Sequence, residues 1–326
     1  VTRVLVTGSA GHLGDALVRT LRKEGADVMG IDLLPSHTTD RVGSITDAVF
    51  VREVMEGVDA VLHAATLHKP HVATHPRRAF VDTNVTGTLV LLEAAVHAGV
   101  ECFVFTSTTS TFGRALSPPP GAPAAWIDED VVPIPKNVYG ATKTAAEDLC
   151  ALVHRDHGLP VVVLRTSRFF PEIDDDPDKR RTFTDPDNLK AIEFLYRRVE
   201  LADAVAAHRL AMAKAPDLGF AKLIISATTP FSRADAAGLG SDAAAVIEAR
   251  FPQVDAVFAA RGWRLPARLD RVYDNTRART QLGWTPRFDF AHVLARLDAG
   301  DDVLGPLAAE VGSKGYYRSA AESLAP

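Results

Sequence analysis

The chain is predicted to be an α/β protein: a doubly wound parallel sheet with a smaller C-terminal lobe. Three features predict this. Short apolar runs rich in β-branched residues alternate with segments of helical apolar spacing, the pattern of repeated strand–helix–strand units. The first such run breaks into three glycines just before its helix begins. Beyond Arg165 the alternation stops, and residues 168–187 carry prolines, aromatics, acids and paired arginines instead.

The chain has 326 residues, 47% of them apolar and 24% charged, which is ordinary for a soluble globular protein with a sizeable core. Its 36 basic and 41 acidic side chains leave a net charge of -5, which argues against a nucleic-acid partner. Cys102 and Cys150 lie in apolar segments without metal-ligand spacing, which suits a reducing compartment. No signal-like segment precedes the first strand and no run approaches a membrane span, so a cytoplasmic protein without a membrane partner is expected.

Val4-Leu5-Val6-Thr7 reads as a buried strand, Gly8 to Gly14 as a loop, and the stretch from Asp15 as a helix with Leu17, Val18 and Leu21 on one face. Gly8, Gly11 and Gly14 permit a tight turn, close approach of backbone to a pyrophosphate, and close packing of helix on strand. The helix start, with His12 and Leu13, offers unpaired N–H groups to that anion. A second strand, 27–31, leads to Asp32, eighteen residues after Gly14. A carboxylate there accepts hydrogen bonds from an adenosine ribose and repels a 2′-phosphate, so NAD is the expected cofactor.

Further strands are read at 58–65, ending in His63-Ala64-Ala65, at 102–106 and at 161–164. Helices are read at 79–98 and at 139–154, the latter closed by Gly158. Right-handed crossovers make these strands parallel and put ligands at their carboxyl ends. A helix at 202–213 and a strand at 220–227 return to the sheet. The expected domains are therefore 1–167 with 200–228 for the dinucleotide, and 168–199 with 229–326 for the substrate.

Tyr139 and Lys143 stand at i and i+4, one turn apart on a helix face. A nearby ammonium favours the phenolate and brings a phenol toward use as a base at neutral pH. The hydroxyl run Thr106 to Thr111 follows the strand 102–106, so it emerges where a ligand would lie; its alternative is a turn that satisfies its own backbone. His68, His71 and His75 are read as loop residues near the mouth of the site. Pro70 and Pro76 break any helical face, no carboxylate or thiolate completes a metal set, and no metal is expected.

Taken in order, residues 7–14, Asp32, His63-Ala64-Ala65, Asn84, residues 107–113 and residues 139–143 resemble the extended short-chain dehydrogenases/reductases, the NAD-dependent epimerase/dehydratase family. Residues 200–212 look like that family's Asp-Val-Ala helix, and Leu282-Gly283-Trp284 with Pro286 is similar to its C-terminal Leu-Gly-Trp-x-Pro signature. The resemblance implies a Rossmann domain, NAD, a small-molecule substrate, and a homodimer paired through the 79–98 and 139–154 helices. It implies a catalytic Thr108, Tyr139 and Lys143, with Ser107 and Thr109 as alternatives for the hydroxyl. Ala64, Ala65, Asn84, Tyr139 and Lys143 join the cofactor contacts by the same resemblance, Lys143 at the nicotinamide ribose.

The departures concern the substrate. Leu164-Arg165-Thr166-Ser167-Arg168 has arginine where nucleotide-sugar members have asparagine, and Thr109 follows Thr108 where 4,6-dehydratases carry an acid, which disfavours dehydration. Ser44 replaces an aspartate common near the adenine. Arg168 and Arg264, with Arg197 or Arg198, are expected to receive an anionic substrate, Arg264 because its distance from Asp274 resembles that of a family phosphate-binding arginine. The acidic run 174–178 is the competing partner for those cations. The expected activity is NAD-dependent epimerisation of a secondary alcohol on a sugar or nucleotide-sugar. Net dehydrogenation or reduction of a small anionic hydroxy or keto compound is the first alternative, and a catalytically silent dinucleotide sensor the second.

Overall fold

The apolar runs pair edge to edge in the computed structural model, which describes residues 2–115, 117–174 and 176–315. In chain order the strands are β1 (Arg3–Thr7), β2 (Asp27–Asp32), β3 (Arg41–Val42), β4 (Ala60–His63), β5 (Cys102–Thr108), β6 (Ala125–Ile127), β7 (Val161–Thr166), β8 (Phe220–Ile225) and β9 (Arg271–Tyr273). Seven of them form one sheet in the order β3-β2-β1-β4-β5-β7-β8, and β6 pairs with β9 in a second. Every pairing is parallel. The order reverses between β1 and β4, which opens a crevice at their carboxyl ends, where open α/β sheets bind ligands.

The helices that shape this crevice are α1 (His12–Lys23), α2 (Ala48–Met55), α3 (Arg77–Phe80), α4 (Gly87–Ala98), α5 (Val138–His157), α6 (Pro177–Thr182), α7 (Pro186–Glu193) and α8 (Leu201–Leu218). On one sheet face Leu13, Leu17 and Leu21 of α1 share a core with Ala204, Ala207 and Ala211 of α8. On the other, Val51 and Val54 of α2, Leu91 and Leu92 of α4, and Ala146 and Cys150 of α5 pack against Leu5, Val61, Phe103 and Phe105. The sheet is therefore wound on both faces, as expected. Asn137 starts α5 by accepting the Gly140 N–H at 3.0 Å, and Gly158, in the left-handed region at φ 72, ends it.

Residues 77–98 form one continuous helical stretch of 22 residues, long and apolar enough by length and composition to cross a membrane, contrary to the sequence expectation. Phe80, Leu91, Leu92 and Ala95 on it are buried in the protein core. Its middle, Val81–Thr86, is wound as a π-helix. Such turns shift the residues that follow around the helix axis, and here one buries Asn84.

A separate core holds Ile192, Phe194, Leu239, Ile247, Phe258, Val272 and Phe290. It forms a second lobe, but its boundary differs from the expected one. Ala124 packs in this core and β6 pairs with β9, so residues 124–127 go with the lobe. Conversely, Leu282, Trp284, Ala308 and Val311 pack on the large core. The indole of Trp284 explains part of this: once buried its N–H needs an acceptor, and it donates to the Asp203 carbonyl on α8 at 3.1 Å. Residues 316–326 of the expected lobe lie outside the described residues.

Candidate active site

Gly8 has φ +74, and a Cβ on it would lie 2.6 Å from the Ala65 nitrogen; one on Gly14 would lie 2.0 Å from the Gly8 carbonyl oxygen. Only glycines let the loop fold on itself and meet the end of β4 this closely, while Gly11 stands as the N-cap of α1. Asp32 closes β2 with one carboxylate oxygen accepting the Ala10 N–H at 3.0 Å and the other the Leu34 N–H at 3.0 Å. Burial pushes its carboxyl pKa up, and these N–H groups draw it back.

At the end of β4, His63 is buried between two threonine hydroxyls, Nδ1 2.7 Å from Thr7 and Nε2 3.0 Å from Thr88. Thr7 Oγ1 accepts the Ala65 N–H at 3.1 Å and Thr88 Oγ1 donates to the Asn84 carbonyl at 2.7 Å, which fixes the proton on His63 Nε2. Burial, with Lys143 nearby, holds this imidazole well below its usual pKa. The relay ties Ala65 on the cavity wall to the π-helical turn.

Asn84 donates to the Leu67 carbonyl at 2.9 Å and Thr142 Oγ1 at 3.1 Å, and accepts from the Leu67 N–H and Thr66 Oγ1, each at 2.9 Å. All four hydrogen-bonding positions of its amide are filled by protein. It therefore fastens the loop after β4 to α5, and it is not among the residues that line the cavity where the expected cofactor contacts lie.

The three candidate hydroxyls differ in their tertiary surroundings. Ser107 donates to Glu147 Oε1 at 2.5 Å. Thr109 acts on the buried phenol of Tyr273. Thr108, at the end of β5, lines the cavity with Tyr139 from the first turn of α5 and acts on its phenol. Burial pushes the Tyr139 pKa up to about 12, and Thr108 draws it back only in part. Lys143 is 1% exposed, and burial pushes its ammonium down to about 7 against the pull of Glu147. Its Nζ lies 3.9 Å from the centroid of the Phe105 ring. The lowering of the phenol expected from Lys143 is not among the influences on Tyr139, and Lys143 sits behind the cavity wall rather than on it.

That wall encloses about 940 Å³, running from Gly8, Leu13 and Asp32 past Ser44, Ala64 and Ala65 to Thr108 and Tyr139, then to Arg168, Arg197 and Arg271. His12, His68, His71 and His75 line it as well. Successive ring centroids of His68, His71 and His75 are 4.4 and 5.0 Å apart, and burial with His75 nearby pushes His71 down to about 4.

The arginines divide. Arg168 donates to the carbonyls of Glu172 at 3.1 Å and Ile173 at 2.8 Å, and stands 3.8 Å from Asp174, which pairs with Arg197 at 2.7 Å. Burial pushes the Asp174 carboxyl up, but Arg197 and Arg168 outweigh it and hold it well below the usual range. Arg264 does not reach the cavity, a second correction: Asn188 of α7 bonds its N–H at 3.1 Å and its carbonyl at 3.0 Å, pinning that strand of chain elsewhere. Arg198 is buried against Glu193 and likewise off the wall. Arg271 takes the expected place instead, braced on the Gly113 carbonyl at 3.2 Å and Ser117 Oγ at 2.6 Å. Its alternation with Tyr273 along β9 was the available signal, since both face one way.

A family model described as the NAD dependent epimerase/dehydratase family matches residues 4–185. A UDP-glucose 4-epimerase from Lactobacillus helveticus is 34% identical over 173 residues, covering 50% of each chain. A dTDP-glucose 4,6-dehydratase from Streptomyces antibioticus is 31% identical over 328 residues, covering 90% of each. The solved structure of MoeE5 in complex with UDP-glucuronic acid and NAD is 26% identical with a TM-score of 0.63, covering 90% of this chain and 96% of that one. The chain spans only about half the length of some curated relatives it matches, 40% and 50% in two of them. With the glycine loop, Asp32 and the Thr108, Tyr139 and Lys143 group in place, the chain belongs to the NAD-dependent epimerase/dehydratase family.

Proposed function

We propose that this chain is an NAD-dependent epimerase of a sugar or nucleotide-sugar that carries negative charge, inverting a secondary alcohol by removing its hydride and returning it to the other face. The observation that carries the reading is that Thr108 and Tyr139 stand together on the wall of the same cavity as the glycine loop and Asp32. The cradle at Gly8, too close to Ala65 for any Cβ, and the carboxylate at Asp32 fit a dinucleotide without a 2′-phosphate. Bound NAD would supply the hydride acceptor and donor and a positive charge near the reacting carbon.

The protein's own groups handle the proton. Tyr139 takes the hydroxyl proton of the substrate and returns it, and Thr108 holds the substrate oxygen and the phenol in line. In the protein alone the phenol, pushed up to about 12, stays neutral at pH 7, so the base forms only when positive charge enters the cavity. Lys143, poised at about 7, gives up or takes a proton at little cost behind it. Arg168 and Arg271 on the far wall support an anionic substrate. Dehydration is disfavoured because Thr109 and Ser110, not an acid, follow Thr108.

We further place the enzyme as a cytoplasmic homodimer. Buried free Cys102 and Cys150 suit a reducing compartment, and the exposed Val81 and Leu152 on the two expected pairing helices suit a two-fold contact. The test incubates the purified protein with UDP-sugars and UDP-sugar acids and follows stereochemical inversion by proton NMR, with absorbance of the reduced cofactor in parallel. Inversion without net reduction supports the reading. Reduced cofactor accumulating in proportion to a ketone product would make the enzyme a dehydrogenase instead.

A further inference from the structure

Near the end of the described chain, the helix Pro306–Val311 docks Ala308 and Val311 into the core that α1 shares with α8. Residues 312–315 then cross to the glycine loop, and Lys314 and Gly315 line the large cavity beside His12 and Gly14. Two carboxylates hold this crossing. Glu172 Oε1 accepts Ser313 Oγ at 2.9 Å and the Lys314 N–H at 2.9 Å, and pairs with His12 Nε2 at 3.1 Å. Burial pushes the Glu172 carboxyl up, but its bond and charge pairing with His12 bring it down to about 2. The Lys314 ammonium reaches Asp15 Oδ2 at 2.6 Å.

Asp15 is a curious residue for this place. It stands in the first turn of α1, fully buried, directly after Gly14, where the helix start is meant to attract an anion. An uncompensated carboxylate there would repel a pyrophosphate. Arg19 pairs with Asp15 from one turn further on, and His37 Nε2 lies 3.6 Å from it. Neither lines the cavity, whereas Lys314 does.

We propose that residues 312–315 complete the dinucleotide site: Lys314 neutralises Asp15 on the cavity side, and the Glu172–His12 pair holds it there, so that the start of α1 stays attractive to the pyrophosphate. Lys314 is a positioning residue in this account, acting through Asp15. The inference rests on the NAD assignment, and the experiment separates the two.

Binding of NAD, ADP and adenosine is measured by calorimetry on the full chain for wild type, Lys314→Met, Lys314→Arg, Asp15→Asn and the double variant, with thermal unfolding as a folding control. Lys314→Met should weaken NAD and ADP by about tenfold or more, as expected of a charge exposed at partly buried range, and leave adenosine unchanged. Lys314→Arg should bind within about threefold of wild type, and Asp15→Asn should make Lys314→Met nearly silent, the coupling expected of two groups in contact. If Lys314→Met binds ADP like wild type, or weakens adenosine equally, or keeps its defect on Asp15→Asn, the proposal is wrong. Should Asp15→Asn fail to fold, the contrast of Lys314→Met with Lys314→Arg on ADP against adenosine still decides. Wild type that binds none of the three would overturn the NAD assignment instead.

Discussion

Replacing Lys143 with methionine should stabilise the protein at neutral pH, and the gain should shrink as the pH rises. The ammonium is 1% exposed, and its pKa falls from an ordinary 10.5 to about 7 because burial strips its water. Below pH 7 both folded and unfolded chains carry the proton, and folding bears the full cost of burying it. Between pH 7 and 10.5 the unfolded chain binds more protons than the folded one, so stability rises with pH across that window. For this shift the penalty is about 4 kcal/mol at pH 7 and about 2 kcal/mol at pH 9. Methionine keeps the length and loses the charge, so the stability difference between variant and wild type should fall by about 2 kcal/mol over those two units. Urea unfolding at pH 7, 8 and 9, followed by tryptophan fluorescence on cofactor-free protein, measures it. The comparison of two proteins matters, since buried Cys102 and Cys150, whose thiols burial pushes up, erode stability in both as the pH nears 9 and above. Parallel pH dependences would mean that Lys143 is not held near neutrality and that its role in the proton chemistry was misread.

Tyr139→Phe should retain NAD affinity by calorimetry while turnover drops by about 10² to 10⁴-fold, the usual cost of losing an acid/base group; near wild-type turnover would remove Tyr139 from the mechanism. Cofactor titration should show NAD bound more tightly than NADP, with Asp32→Ala narrowing the gap, and equal affinities in wild type would contradict the role of Asp32. Thr108→Val and Ser107→Ala should part ways. The first lowers kcat with stability little changed, whereas the second leaves a buried Glu147 oxygen short of a donor and costs about 1–3 kcal/mol of stability with a milder effect on kcat. Thermal unfolding beside steady-state kinetics would expose a reversal.

What could be read from the sequence was what depends on near neighbours. The glycine loop, the acid after the second strand and the Tyr139–Lys143 spacing are local patterns, and local geometry makes them meaningful wherever the fold puts them. The choice among Ser107, Thr108 and Thr109 was of another kind. What sets them apart in the fold is Glu147, forty residues from Ser107, and Tyr273 in the other lobe, and neither is legible within the hydroxyl run. Arg264 failed for the same reason, because a spacing shared with relatives says nothing of Asn188, which pins the arginine's main chain to α7. Lys314 lies beyond any motif, yet it completes a charge balance that begins at Asp15, in the most legible stretch of all. An acid at that position is a local conflict with anion binding, and while Arg19 meets one of its oxygens from within α1, only the fold brings Lys314 to the other.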